Sequence, residues 1–212
     1  MKKILVAILG VLFAAPSFAQ YSSGGFSLSE SSVYYGIRLG MNVANLTGDA
    51  PIDGTRIGLN FGGTVGLRLS DSAPVFLESG LYYTGSGASK KKNSTSLNYL
   101  EVPLLIKYGV QVSDDIALLP FIGPSFRYGI FGGKTKIDGT KYDAFGDDAF
   151  PKMQYKRADV GIKIGCGAEY NKLYLELGYQ FGITNIANWD LTNGDEASAH
   201  NGALFVNLGV NF

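Results

Sequence analysis

The lone histidine of this 212-residue chain, His200, stands two residues after Ser198. A serine and a histidine within reach of each other could carry acyl transfer on a membrane lipid, the imidazole acting as base for the hydroxyl. That chemistry also needs donors aimed at a developing oxyanion, and no sequence motif supplies them. Ser198 and His200 are therefore expected to be polar loop residues, and no catalytic residue is assigned. Asp138, Asp143, Asp147 and Asp148 gather hard oxygen ligands within one stretch, but their spacing does not fit an EF-hand loop, so solvated loop charge is expected and no metal or cofactor. The run Lys90-Lys91-Lys92 could touch anionic lipopolysaccharide groups or simply face water. Cys166 is the only cysteine, which excludes an intrachain disulfide. With 18 Lys+Arg against 18 Asp+Glu, no charge excess favours nucleic acid.

A larger set of charges recurs at every second position. Arg38, Arg68, Lys107, Arg127, Arg157 and Lys163 share one phase with Glu78, Glu101, Asp159, Glu169 and Glu176. The other phase carries none. Over residues 158–170 it reads Ala158, Val160, Ile162, Ile164, Cys166, Ala168, Tyr170, while the intervening set is Asp159, Gly161, Lys163, Gly165, Gly167, Glu169. Successive strand side chains point to opposite faces, so each such segment has an uncharged apolar face and a polar, glycine-rich one. A charge facing lipid costs about 2–4 kcal/mol at the bilayer midplane, which explains its exclusion from one set.

Eight alternating segments are predicted, at 34–43, 55–69, 74–84, 97–111, 116–130, 157–170, 172–183 and 203–212. Their connections alternate long and short: 44–54, 85–96, 131–156 and 184–202 against 70–73, 112–115 and the turn at Asn171. Even strand number with this alternation predicts an all-β fold, an eight-stranded antiparallel up-and-down transmembrane barrel with short periplasmic turns and long extracellular loops. Ahead of it, Lys2, Lys3, an apolar run over 4–15 and Ser17-Phe18-Ala19 predict a signal peptide over 1–19. Residues 20–33, rich in Ser and Gly, read as a flexible lead-in to the barrel domain at 34–212. Outward aromatics such as Tyr35, Tyr83, Tyr108, Tyr128, Tyr170, Phe181 and Phe212 fall toward strand ends, where they could form interfacial girdles.

An eight-stranded barrel has an interior just wide enough for side chains to fill. The inward glycines, Gly36, Gly62, Gly66, Gly167 and Gly178 among them, then leave room for Arg, Tyr and Phe, and the lumen is plugged. Counting from the short turns brings Glu78 near Arg68 and Glu101 level with Ser125 and Arg127. A belt of interior ion pairs containing Arg68, Glu78, Glu101 and Arg127 is expected, since buried charges left alone are costly. Pro103, Pro120 and Pro124 fall inside strands of a barrel that has no edge, so bulges or lost ladder bonds are expected there.

The segment Tyr99-Leu100-Glu101-Val102-Pro103-Leu104-Leu105-Ile106-Lys107-Tyr108 resembles the signature strand of the PorT-like outer-membrane β-barrel family. Residues 36–42 look like that family's first strand, and Pro120, Gly123 and Pro124 like its fifth. Phe212, closing the alternation Leu204, Val206, Leu208, Val210, looks like the carboxy-terminal signal read by the outer-membrane assembly machinery. The resemblance implies residence in the bacterial outer membrane, among outer-membrane lipids, with that machinery as a partner during biogenesis. It also implies that some relatives assist protein secretion.

Four functions stay open on these grounds. The first is a structural or interaction protein that is not an enzyme, with a protein or glycan partner at its extracellular loops. The others are a secretion accessory, a lipid-modifying enzyme and a narrow channel. A soluble, lipocalin-like barrel with the apolar set turned inward is the structural rival.

Overall fold

The computed structural model describes residues 33–70, 72–130, 132–146, 153–192 and 194–212. The predicted signal peptide, nearly all of the lead-in, and Asp147 and Asp148 lie outside the described residues. Eight strands form the wall: β1 Val33–Gly48, β2 Thr55–Arg68, β3 Val75–Lys90, β4 Asn93–Tyr108, β5 Ile116–Gly129, β6 Ala158–Tyr170, β7 Leu173–Gly182 and β8 Ala199–Asn211. Each pairs antiparallel with the next. The sheet closes where β1 meets β8, from Gly36↔Asn211 to Gly48↔Ala199. This is an up-and-down barrel with no free edge in its wall.

The two alternating sets sort as their chemistry requires. Ile37, Leu39, Ile57, Leu104, Ile164, Leu177 and Leu208 stand on the outer surface, Ile57 with 70% of its area exposed. An apolar belt of this extent has no place in water and suits hydrocarbon. The inner set buries Arg38, Glu78, Glu101, Lys107, Arg127, Asp159, Lys163 and Glu176. Glycine makes room for large inward rings: a Cβ at Gly66 would overlap the Tyr34 ring, at Gly167 the Tyr174 ring, and at Gly178 the Phe205 ring.

The short connections lie where the sequence places them. Val112 N–H donates to Ile116 O at 2.9 Å, and Asn171 turns between Tyr170 and Leu173 at φ 54°, a left-handed conformation that asparagine tolerates. One long connection is different. The expected loop at 85–96 is strand on both sides, paired from Gly85↔Asn98 to Lys90↔Asn93, and it turns at Lys91 (φ 56°) and Lys92. Its outward positions, Gly85, Gly87, Ser89, Ser94, Ser96 and Asn98, carry no apolar side chain. Above the membrane a strand needs none, so the lipid pattern that marks the rest of the wall stops before the strand does.

The prolines leave the register intact. Pairing is interrupted between Ser79↔Leu104 and Tyr82↔Glu101, and between Pro103↔Ser125 and Ile106↔Ile122, but it resumes in the same register. Ladder bonds are thus lost without the bulges that were also expected. The Ser79 hydroxyl offsets part of the loss by donating to Pro103 O at 2.8 Å.

At the end carrying the longer connections, the loops fold inward. Ile52, Phe145, Tyr155, Ile186 and Trp189 pack on Leu46, Ala88, Leu97, Tyr99 and Ala199 from the strand tops. Gln154–Tyr155 and Ala187–Asn188 form a two-stranded piece within this cap. Asn185 ties it to β8: its Oδ1 accepts from Ala187 N–H and Ala199 N–H, both at 2.9 Å, and its Nδ2 donates to Ala197 O at 2.8 Å. Beside the cap, the hairpin of Lys134–Ile137 and Thr140–Asp143 adds to the top of β4 as an extension of the sheet.

Candidate functional site: the filled lumen and its cap

The interior charges form two clusters joined by amides and rings. In the one nearer the chain ends, Glu78 on β3 is the hub. Lys107 Nζ lies 2.8 Å from its Oε1, Arg38 Nη2 lies 3.7 Å from its Oε2, and the Tyr34 hydroxyl donates to Oε2 at 2.7 Å. Lys107 also donates to Tyr174 Oη at 2.7 Å and sits 4.0 Å from Glu176 Oε2. The Arg38 guanidinium lies 4.1 Å from the centre of the Tyr174 ring and donates to Asn211 Oδ1 at 2.6 Å. Asn207 and Asn211 each donate at 2.6 Å, to Glu176 Oε1 and Glu169 Oε2 respectively. Charged partners and amide donors together satisfy most of these groups, whose burial alone would be prohibitive, and leave Arg38 Nε without a hydrogen-bond partner.

Midway, Asn42 donates to Asn60 Oδ1 at 2.9 Å, and Phe121 stacks with Phe205 at 6.4 Å between centroids. These, with Leu105, fill the section between the charge clusters. In the cluster beneath the cap, Lys163 contacts Glu101 Oε1, and Thr84 donates to Glu101 Oε2 at 3.1 Å. The Lys163 ammonium also lies 4.6 Å from the Phe205 ring centre. Arg127 contacts Asp159 Oδ2, which accepts from Asn201 Nδ2 at 2.7 Å, while Asp159 Oδ1 accepts from Thr184 at 2.9 Å. Asn201 reaches on to Tyr99 Oη at 3.2 Å, where the apolar cap begins.

The partners differ from those read off the turns. Arg68 stands opposite Phe76 at the rim, its Nε donating to Ser70 O at 2.9 Å, while Glu78 lies further in and takes Lys107 and Arg38. Glu101 and Arg127 are directly opposite in register, yet Glu101 reaches Lys163 two strands away, and Arg127 takes Asp159, its opposite neighbour on the other side. In a narrow barrel, long side chains meet across the lumen as readily as along the sheet.

The remaining candidates are dispersed. Ser198 Oγ and His200 Nε2 do approach to 3.1 Å. However, the two amides beside them are occupied, Ser198 N–H by Asp49 Oδ2 at 3.0 Å and Ala199 N–H by Asn185 Oδ1, so neither is free to receive an oxyanion. The imidazole Nδ1 is buried without a hydrogen-bond partner, so nothing orients the ring as a base. Asp143 Oδ1 accepts from Phe145 N–H at 2.8 Å, and among the described residues no three His, Cys, Asp or Glu side chains group as metal ligands. Lys90 pairs with Asp53 at 3.5 Å on the exposed rim. Cys166 faces outward on the apolar wall.

Sequence reasoning missed the amides, the tyrosine hydroxyls and the cap. Asn201, Asn207 and Asn211 share the inward phase of the last strand, and Trp189, Ile52 and Phe145 are apolar residues in segments read as long connections. Those two patterns were the available signals. Burial in the cap also pushes the Tyr155 phenol up to about 12.

A family described as outer membrane protein beta-barrel domain matches residues 18–188. No curated protein matches the chain. Solved structures of similar shape include Neisserial surface protein A, at 15% identity over 86% of this chain and 98% of that one, TM-score 0.49. Ail of Yersinia pestis, solved in complex with the heparin analogue sucrose octasulfate, has 12% identity over 86% and 100%, TM-score 0.45. OprG of Pseudomonas aeruginosa has 12% identity over 87% and 98%, TM-score 0.45. The family match covers most of the sequence and agrees with a closed eight-stranded wall that is apolar outside and ionic within: the chain belongs to the outer membrane protein β-barrel domain family of the bacterial outer membrane.

Proposed function

We propose that this protein is a closed, side-chain-filled barrel that serves as a rigid structural or interaction element, presenting its extracellular cap and hairpins to a protein or glycan partner. The observation that carries this reading is the continuous filling of the lumen: the Glu78 cluster, the Phe121–Phe205 layer, the Glu101–Asp159 cluster and the Trp189 cap follow one another along the axis. Outside this stack, the Ser198–His200 pair has its neighbouring amides occupied, which supports a non-enzymatic reading. Loops held on a rigid scaffold are where recognition usually resides. Within the family, the strand Tyr99 to Tyr108 supports a place among PorT-like members. Reconstitution into planar bilayers tests the plug: the purified protein gives no steady conductance, and stable ion-conducting steps would refute the reading. Extraction in mild detergent tests the interaction role, through a partner that copurifies with wild type and is lost when residues 134–143 are replaced by a short turn.

A further inference from the structure

The extension of the barrel wall above the membrane includes the hairpin at 134–143 that the proposed function offers to a partner; a role for its outward, lipid-side face rests on that extracellular placement. Below it, Tyr83, Leu100 and Tyr128 are neighbours in register and end the apolar wall on β3, β4 and β5. Above them the same outward face continues as Ser96 opposite Lys134 and as Ser94 opposite Lys136, which in turn stands opposite Lys141. Ser96 is four residues beyond Leu100, so at about 3.4 Å per residue and a tilt near 40° this row begins roughly 10 Å above the last lipid-facing side chain. Headgroup layers extend about 5–7 Å past the hydrocarbon on each side, so the row stands at their outer margin, within reach of a lysine side chain.

Two observations give the face a ligand. First, Lys91, Lys92, Lys134, Lys136 and Lys141 take no carboxylate within 4.0 Å among the described residues, although the interior Lys107 and Lys163 and the adjacent Lys90 all do. Among the described residues the carboxylates beside them are Asp53, which pairs with Lys90, Asp138, and Asp143, which stands opposite Lys134 in register. Second, between the two hairpin tips there is a cleft of about 530 Å³ lined by Ser89, Lys91, Lys92, Ser94, Lys136 and Asp138. Ammonium groups beside serine hydroxyls are suited to phosphate oxygens. The face is continuous with the lipid-contacting wall, so an anion anchored in the surrounding leaflet is already beside it. We infer that this lysine and serine face binds the phosphate groups of an acylated glycolipid in the outer leaflet, fixing the barrel's annular lipid on the β3–β5 side.

The test measures binding of diphosphorylated lipid A, its dephosphorylated form, and inorganic pyrophosphate to the full-length folded protein in detergent, for wild type and for a Lys134→Gln, Lys136→Gln, Lys141→Gln variant. These side chains lie outside the membrane wall, and gel migration of the unheated barrel checks that the variant is folded. At about fivefold per surface lysine, the triple variant binds the diphosphorylated lipid roughly a hundredfold more weakly. Added salt weakens wild-type binding, and the dephosphorylated lipid binds poorly to both. Binding by the folded variant within twofold of wild type would overturn the inference. So would equal affinity for the dephosphorylated lipid, or pyrophosphate binding as tight as the lipid's, which would assign the face to a free anion.

Discussion

Replacing Lys107 by methionine removes the cation at the heart of the lower charge cluster while keeping an unbranched side chain of similar length. Lys107 Nζ is 2.8 Å from Glu78 Oε1, with both side chains 1% exposed. At an effective dielectric of about 20, charges at that separation attract by roughly 6 kcal/mol. The loss is smaller than this, because desolvation opposes the pair and Glu78 keeps Tyr34 at 2.7 Å and Arg38 at 3.7 Å. A cost of about 3–5 kcal/mol is expected for Lys107→Met. Glu78→Gln should cost a comparable amount, since it leaves Lys107 and Arg38 without their shared carboxylate. The double variant removes the Glu78 charge orphaned in one and the Lys107 charge orphaned in the other, leaving Arg38, so it costs less than the sum, by about 2–3 kcal/mol. Reversible urea unfolding in lipid vesicles measures all four proteins, with fluorescence of the single tryptophan, Trp189, and migration of the unheated barrel as readouts. A coupling below about 0.5 kcal/mol would mean that the two side chains act independently and would refute the hub assigned to Glu78. A parallel cycle should couple Glu101→Gln more strongly to Lys163→Met than to Arg127→Gln, because Arg127 contacts Asp159.

Two further outcomes concern the cap. Trp189 packs edge-on against Tyr155 at 5.2 Å within the apolar cluster; Trp189→Ala should open the cap, shown by faster proteolysis at residues 184–198, while the unheated barrel still migrates as folded. Tyr155 adds a pH dependence. Its phenol ionises at about 12 in the folded protein against about 10 when unfolded, so the neutral form favours folding: the stabilisation is full below about pH 10 and is lost as pH rises through about 12, amounting to roughly 3 kcal/mol. Unfolding measured across that range should decline more steeply for wild type than for Tyr155→Phe, and equal slopes would contradict the burial of this hydroxyl.

The parts of the fold that lipid constrains were legible in the sequence. Hydrocarbon forbids charge on one face, so the alternation in residues such as Ile162, Ile164 and Cys166 locates a strand, and the closed sheet accounts for the even strand count. Where the wall leaves lipid that constraint lapses, and the Ser and Gly run from Gly85 to Ser96 reads as a loop although it is strand. The cap left only a faint signal for the same reason. Its apolar residues, Ile52, Phe145 and Trp189, come from separate connections with no shared period. Ion-pair partners were only half legible. Counting from a turn finds neighbours on adjacent strands, but Arg38 reaches Glu78 from two strands away, and Glu101 reaches Lys163 in the same manner. Arg127 and Asp159 are directly opposite in register, yet the long connection at 131–156 leaves no turn from which to count.

The direction in which the wall faces is tested most directly by a nitroxide at single sites: at native Cys166, outward between Leu177 and Pro120, and at Ser125→Cys, inward and fully buried, in a Cys166→Ala background. In vesicles, collisions with lipid-dissolved oxygen should broaden the label at Cys166 and leave the label at position 125 unaffected, while a water-soluble nickel chelate reaches neither. Broadening by oxygen at position 125 with protection at Cys166 would turn the wall inside out and contradict the filled, ionic lumen.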